Sequence, residues 1–440
     1  MKLTMTECDV LIIGGGPSGA ACAYWLAKLG VNVVVVEKKV FPREKTCGDG
    51  LTPRSVHQLE QMGLSDFLRT KHRYDGLQTL AFGKSMMLRW PEHPEMPNYG
   101  YVVTRFELDE AVLDNSAGAG ATVHFGAEAT QVRQDAAGSV ISVTVKSKDG
   151  GEEVEFLPKY VVVADGSNSR IGRLIGAVRD RDLPMGLALR GYFTSPLSKS
   201  PFIESHLDIR TAQGEVLPGY GWIFPLGDGR VNAGIGLLST LGRWKDVNTT
   251  KVMEAFIAGA PKEWGLDIND PIYTGTGGKL PMGFSVGPRV GTNYLIVGDA
   301  AGAINPFNGE GIAYGYETGR LAAGVIADAL KLDDPSLLAR YDRDLERIYG
   351  NYYRVAKAFV GLIGHPMIMR AAVGLGINSE AVMKPILRIM ANLMRPERSG
   401  VGETLYRFGL KALDGWESAS ARAAPLVSKW KAPSPRSPRT

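Results

Sequence analysis

Three clusters in this 440-residue sequence hold residue types at spacings that could do chemistry. The first is Gly14-Gly15-Gly16-Pro17-Ser18-Gly19, flanked by apolar runs at 10–13 and 31–36 and followed by the acid Glu37. Strand, glycine turn, helix, strand and acid in that order form the first half of a dinucleotide-binding unit. Gly14 permits the tight turn, Gly16 lets a pyrophosphate approach the backbone, and Gly19 seats the helix against the sheet. Pro17 and Ser18 open that helix, whose first turn offers free N–H groups and a positive dipole end to phosphates. Glu37 stands where a carboxylate accepts hydrogen bonds from a ribose. The second cluster, Cys47-Gly48-Asp49-Gly50, is a compact loop that, taken alone, reads as a tight turn ahead of the helix begun by Pro53. In the third, running from Leu217 to Pro225, alternation puts Tyr220, Trp222 and Phe224 on one strand face. Such an aromatic wall, taken alone, is more often core packing than a pocket.

Two later loops have the form of the first. An apolar run at 160–164 ends in Asp165-Gly166, and another at 294–297 ends in Gly298-Asp299, with a helix beginning near Gly311-Ile312. Strand ends of this kind are where open α/β sheets place ligands, and backbone amides there suit an anionic or carbonyl-rich partner. Nucleotide-facing loops so far apart imply a domain split by an insertion. Arg105, at the start of another helical stretch, reads alone as an ordinary solvated arginine.

The elements that position these residues divide the chain. Residues 1–74, 100–182 and 275–330 read as a discontinuous nucleotide-binding domain of strands and helices. Residues 75–99 and 183–274 read as an inserted antiparallel sheet that could carry substrate, interrupted by one helix near 250–259. Residues 331–428 read as helical, rich in Met, Leu and Ile, and 429–440 as a disordered basic tail. Those helices could close the core, wall an apolar tunnel, or rest on a bilayer with Arg388, Arg395 and Arg398 facing lipid phosphates.

Composition narrows the class. Hydrophobic content of 44% and charged content of 22% are those of a soluble globular protein. The net charge of +4 is concentrated after residue 394, where nine Lys or Arg face four Asp or Glu, so the body is nearly neutral and no nucleic-acid partner is expected. The three cysteines, Cys8, Cys22 and Cys47, show no paired spacing. Neither a disulfide framework nor a metal site is expected, and a reducing compartment fits. The first apolar run is broken by glycines and Pro17, so neither a signal peptide nor a spanning helix is expected.

Together the ordered motifs resemble the flavoprotein family that includes aromatic hydroxylases, flavin halogenases and geranylgeranyl reductases. The resemblance covers about residues 8–330. It implies an α/β fold, α+β overall, with a Rossmann-like FAD-binding domain, an inserted antiparallel substrate sheet and a C-terminal helical region. By the same resemblance Gly14 to Gly19 and Glu37 hold the adenosine end of FAD, Asp165 sits near the pyrophosphate, and Asp299 of Gly298-Asp299 holds the ribityl chain. Arg105 matches an FAD-contacting arginine, and Gly311-Ile312 the amides that meet the flavin ring.

Two features resemble the reductase branch. Pro218-x-Tyr220-x-Trp222-x-Phe224-Pro225 is similar to its substrate-pocket motif, and Cys47-Gly48-Asp49-Gly50 to its cysteine loop facing the flavin. The stretch from Cys47 to Leu64 and the apolar C-terminal helices look most like the actinobacterial menaquinone reductases, which saturate one isoprene unit of the quinone tail. The resemblance thus implies reduction of an isoprene double bond of a polyprenyl lipid or menaquinone, at the cytoplasmic face of the cell membrane. Cys47, Tyr220 and Trp222 would border the reacting carbons. Geranylgeranyl-lipid or chlorophyll-type reduction, oxygen-using monooxygenation or halogenation on the same fold, and lipid carriage without chemistry are the rival expectations. No motif identifies the electron donor.

Overall fold

The computed structural model describes residues 4–148, 150–151, 153–239, 247–363, 367, 370–371, 374, 376, 378–394 and 400–423. The tail expected at 429–440 lies outside them, as do Arg395 and Arg398. Two seven-stranded sheets carry the architecture.

In the first sheet, strand Thr4–Ile13 lies between Val33–Glu37 and Glu153–Val163, with Thr122–Phe125 beyond Val33–Glu37. These pairings are all parallel, and Tyr294–Ile296 joins Glu153–Val163 in parallel too. The antiparallel strands Val140–Ser147 and Ala127–Gln134 extend the sheet from the earlier half of Glu153–Val163. Sequence pattern explains the central position of the first two strands. Val10, Ile12, Val33 and Val35 are buried in one apolar core, whereas Leu11, Ile13, Val34 and Val36 are buried in the core on the opposite face. A strand covered on both faces has no polar position, hence the unbroken valine run.

The register decides where ligands can meet this sheet. Ile13 pairs with Val163, and Val163 with Ile296, so three strands end in a row at their carboxyl edge. The loops at Gly14, Asp165 and Gly298 therefore start side by side although the chain separates them widely. Helix Pro17–Lys28 leaves the first loop and packs on helix Ile312–Leu332, which follows the third. Their contact is backbone-close: a Cβ on Gly319 would stand 2.3 Å from Ser18 O.

The second sheet runs in the order Tyr273–Pro281, Met185–Thr194, Arg230–Leu238, Gly219–Pro225, Phe202–His206, Gly76–Ala81 and Lys84–Arg89. Its pairings are antiparallel apart from Phe202–His206 with Gly76–Ala81. Strand Tyr273–Pro281 crosses residue 275, so the sheet continues into chain assigned on sequence to the nucleotide-binding part. One face is covered by helix Thr249–Gly259, whose Val252, Met253, Phe256 and Ile257 pack with Ile223, Val231, Ala233 and Ile235. Each of these Val, Ile, Met and Phe side chains contributes about 1.5–3 kcal/mol on burial. The other face looks toward the first sheet.

Beyond Leu332 the described chain is helical, with Ala339–Leu345, Asn351–Ile363, Glu380–Met390 and Val401–Ala423 as its main helices. No helix among the described residues is long and apolar enough to cross a membrane.

Candidate functional site

One cavity runs from the three strand ends of the first sheet to the inner face of the second and on to the C-terminal helices. At its first end, Gly14 has a φ of +107°, and a Cβ there would lie 2.4 Å from Ala164 O. A Cβ on Gly19 would lie 1.9 Å from Gly14 O. These two glycines are explained by packing inside the protein. Gly16 is different. A Cβ there would meet only Arg43 Nη2 at 3.6 Å, so the backbone at Gly16 stands open to the cavity. Gly16 caps helix Pro17–Lys28 without any side-chain hydrogen bond, which leaves the first amides free for an anion. Ser18 is buried beneath Gly298, locking the first loop to the third. Glu37 accepts from Gly15 N at 2.8 Å and Lys39 N at 2.9 Å, and its remaining lone pairs border the cavity.

The neighbouring strand ends complete this wall. Asp165 Oδ2 accepts from Ile171 N at 2.9 Å, while its Oδ1 is buried with no protein partner. Burial raises the Asp165 pKa. Asp299, in the turn Gly298–Ala301, lines the cavity beside Gly311, which caps helix Ile312–Leu332 with no side-chain hydrogen bond. Free space before Gly16, an orphaned acceptor at Asp165 and two uncapped helix starts fit a phosphate-bearing, ribityl-bearing group such as FAD.

Arg105 is not solvated. It is buried, and its Nε and Nη2 each donate to Asp109 at 2.6 Å, the i,i+4 partner on helix Arg105–Gly118. Arg43 reaches the same carboxylate at 2.9 Å. Arg105 lies on the cavity wall close enough to Cys47 to work against burial, which nonetheless leaves the thiol pKa raised. Cys47 is therefore a neutral thiol at neutral pH.

The cysteine loop and the aromatic wall, singled out separately in the sequence, are in contact. Tyr220, Trp222 and Phe224 share the cavity face, with ring centroids 5.8 Å and 6.2 Å apart in succession. The alternate position Gly221 is bare because a Cβ there would strike the Phe256 ring at 2.3 Å on the helix-covered face. Gly48 and Gly50 lie against Phe224, each 3.0 Å from ring to a hypothetical Cβ. Behind them stands a buried polar connection that the motifs did not reveal. Asn232 Nδ2 donates to Cys47 O and to Asp49 Oδ2, both at 2.8 Å, and its Oδ1 accepts the Trp222 indole N–H at 2.9 Å. Arg190 Nε also donates to Cys47 O, at 3.2 Å, and the Tyr192 hydroxyl donates to Asp49. Asp49 adopts φ +65°, and burial pushes its carboxyl up to about 6 against these partners.

Two more cavity residues complete the site. The Tyr220 hydroxyl donates to Asn308 O at 2.7 Å, and burial raises its pKa above the ordinary tyrosine range. Glu310, between two glycines, accepts from the Thr52 hydroxyl and from Ser55 Oγ at 3.1 Å. Glu310, Asn232 and Arg190 were not legible as site residues. Their only sequence signals were an acid between glycines and polar side chains set in apolar strands. Beyond the aromatic wall the cavity is lined by Phe359, Met383, Ile386, Leu387 and Met390.

Known proteins bear on this geometry. The family model for the FAD binding domain matches residues 7–188. The chain is 38% identical to menaquinone reductase of Mycolicibacterium smegmatis over 392 residues, 89% of this chain and 93% of that one. It is 30% identical to digeranylgeranylglycerophospholipid reductase 2 of Methanosphaera stadtmanae over 355 residues, 80% of this chain and 86% of that one. Among solved structures, a geranylgeranyl bacteriochlorophyll reductase-like protein from Thermoplasma acidophilum superposes with a TM-score of 0.73 at 21% identity. That match covers 93% of this chain and 99% of the other, and it bears on the fold alone.

Proposed function

Since the chain belongs to the FAD flavoprotein family of menaquinone and geranylgeranyl reductases, we propose that it is an FAD-dependent reductase whose substrate is the prenyl tail of menaquinone. FAD-dependent saturation of a prenyl double bond follows from that membership. Menaquinone as the particular substrate is the finer reading, carried by the 38% identity to menaquinone reductase, and the continuous cavity, polar at the glycine loops and apolar from Tyr220 to Met390, suits a prenyl tail. An isolated alkene has no carbonyl to polarise, so the protein must supply position and a dry pocket.

In this reading Gly14, Gly16, Pro17, Ser18, Gly19 and Glu37 hold the adenosine end of FAD. Arg105, Asp165, Gly298, Asp299, Gly311 and Ile312 hold the rest, on the part formed by residues 1–74, 100–182 and 275–330. Bound and reduced, FAD supplies a hydride for one carbon of the double bond. Tyr220 and Trp222 orient the chain, Gly48 and Gly50 let the loop lie flat on the wall, and Cys47 borders the reacting carbons while Asp49 fixes its loop. The sheet of residues 75–99 and 183–274 would carry the substrate.

We place the protein peripherally on the cytoplasmic face of the membrane. Support comes from helices Glu380–Met390 and Val401–Ala423, which pack on each other. They expose Val382, Val401, Leu405 and Phe408, and the first of them also lines the cavity through Met383 and Leu387. A lipid tail could thus pass from bilayer to cavity along one helix. Arg388 turns to Glu403 at 3.8 Å. All three cysteines are unpaired, consistent with a reducing compartment. The test is mass spectrometry of membrane quinones and prenyl lipids with and without the gene. Gain of two hydrogens confined to menaquinone supports the reading, and a change confined to another prenyl lipid overturns the choice of substrate.

A further inference from the structure

The cavity face of the second sheet is apolar or glycine at most of its positions, and among the described residues its hydroxyls are those of Tyr220, Thr79 and Ser205. The Tyr220 hydroxyl is committed to Asn308 O at 2.7 Å. The other two side chains have no hydrogen-bond partner among the described residues, although Thr79 is buried and Ser205 half-buried. Neither oxygen is shut away from water, as the unpartnered oxygens of Asp49 and Glu310 are, so each opens on the cavity that both residues line.

The register brings the two hydroxyls together beside the aromatic wall. Ser205 pairs with Trp222 on one side and with Thr79 on the other, so the three form one row across neighbouring strands. Strand spacing sets consecutive members of the row roughly 5 Å apart. Two residues along, the cavity-facing positions Ile203, Leu77 and Leu88 are apolar. On the opposite face of the same strand a polar pair is satisfied, since Glu204 and His206 hydrogen-bond each other at 2.9 Å. Valine has the shape of threonine and suits a strand as well, so the fold does not ask for a hydroxyl at position 79. Hydroxyls left open in an apolar wall await an acceptor from outside the protein.

The chemistry of that acceptor follows from what surrounds it. No Lys or Arg of this sheet lines the cavity. Two neutral donors suit an uncharged oxygen, whereas a phosphate draws arginine or lysine. A carbonyl oxygen has two lone pairs and accepts from both hydroxyls at once. In menaquinone the ring carbon that carries the prenyl chain adjoins a carbonyl carbon, so a carbonyl held in this row leaves the start of the chain beside Trp222.

We propose that Thr79 and Ser205 form the head-group subsite, donating to a ring carbonyl oxygen of the quinone, and that they select a quinone-headed prenyl chain over a phosphate-headed one. This rests on the prenyl-reductase reading above.

The test titrates oxidised FAD holoenzyme with menaquinone in detergent and follows the quenching of tryptophan fluorescence, so it needs no turnover. Thr79→Val and Ser205→Ala should each weaken binding about three- to tenfold, with FAD content unchanged. Thr79→Ser keeps the hydroxyl and drops the methyl, and should bind more tightly than Thr79→Val. Infrared difference spectra of the bound quinone should show a ring carbonyl band at lower frequency than in detergent alone, returning toward the detergent value when Thr79→Val and Ser205→Ala are combined. The proposal is overturned if wild type binds no menaquinone, if both hydroxyl deletions bind as tightly as wild type, if Thr79→Ser binds more weakly than Thr79→Val, or if the combined variant leaves the carbonyl band where it was. A wild-type holoenzyme that shows the lowered band but, once reduced by dithionite, adds no hydrogen to the chain overturns the functional reading and leaves the subsite standing.

Discussion

Replacing Asn232 with Leu should loosen the cysteine loop from the aromatic wall, at a cost that depends on pH. Asn232 is fully buried and joins Trp222, Cys47 and Asp49 through three hydrogen bonds. Leu keeps the approximate shape but neither donates nor accepts. The Trp222 indole N–H is then buried without a partner, which costs about 1–3 kcal/mol. Cys47 O still has Arg190, and Asp49 still has Tyr192, but Asp49 loses one donor to its carboxylate, worth about 1.5–3 kcal/mol when ionised. The sign follows from burial. The folded pKa of Asp49 is raised from 3.8 to about 6, so the stability this group contributes is present below the lower value and lost as pH rises through the upper one. Deleting a donor that stabilises the charge raises the folded pKa further and deepens that loss. The variant should therefore cost about 1–3 kcal/mol near pH 5 and about 3–5 kcal/mol near pH 8. Urea unfolding at both pH values, with FAD at one fixed concentration, measures this. An equal cost at the two pH values, or a cost below about 0.5 kcal/mol at both, would mean that Asn232 neither holds the loop to the wall nor stabilises the Asp49 carboxylate.

Three further outcomes are expected. Gly19→Ala puts a methyl 1.9 Å from Gly14 O, so the purified variant should carry little flavin absorbance; full yellow colour would show that the glycine loop gives way cheaply. Glu310→Gln mimics the protonated acid, whereas wild type loses stability as pH rises from 4.5 through about 7. The variant should thus be the more stable above neutrality, by about 3 kcal/mol, with the difference vanishing in acid. Phe408→Asp, on an exposed side of helix Val401–Ala423, should weaken cosedimentation with anionic vesicles and leave FAD content unchanged; undiminished binding would remove that helix from the membrane contact.

How far the fold and site were legible depended on how local the cause was. The glycine loop was readable because Gly19 meets the backbone of Gly14 a few residues away, although the clash that keeps Gly14 bare is with Ala164 O, far along the chain. The aromatic wall was readable because a strand has period two, and the bare Gly221 between Tyr220 and Trp222 marks the other face. That the wall would lie against Gly48 and Gly50 depends on the packing of two sheets, which no periodicity states. The burial of Arg105 was within reach, since Asp109 is four residues on along the same helix. Asn232 and Glu310 were not. A buried polar residue declares its purpose only through its partners, and theirs are Cys47 and Asp49 in one case and Thr52 and Ser55 in the other, far away in the chain.

Membership in the menaquinone and geranylgeranyl reductase family makes this protein one that adds hydrogen across a prenyl double bond. Purified holoenzyme, reduced anaerobically in deuterated water and given menaquinone, should yield a product whose tail has gained two hydrogens while the quinone ring is unchanged. Both added hydrogens should be deuterium, one on each carbon of the former double bond, because the transferable hydrogen of reduced flavin exchanges with solvent as the donated proton does. Unchanged tails, or oxygenated products formed only when air is admitted, would contradict it.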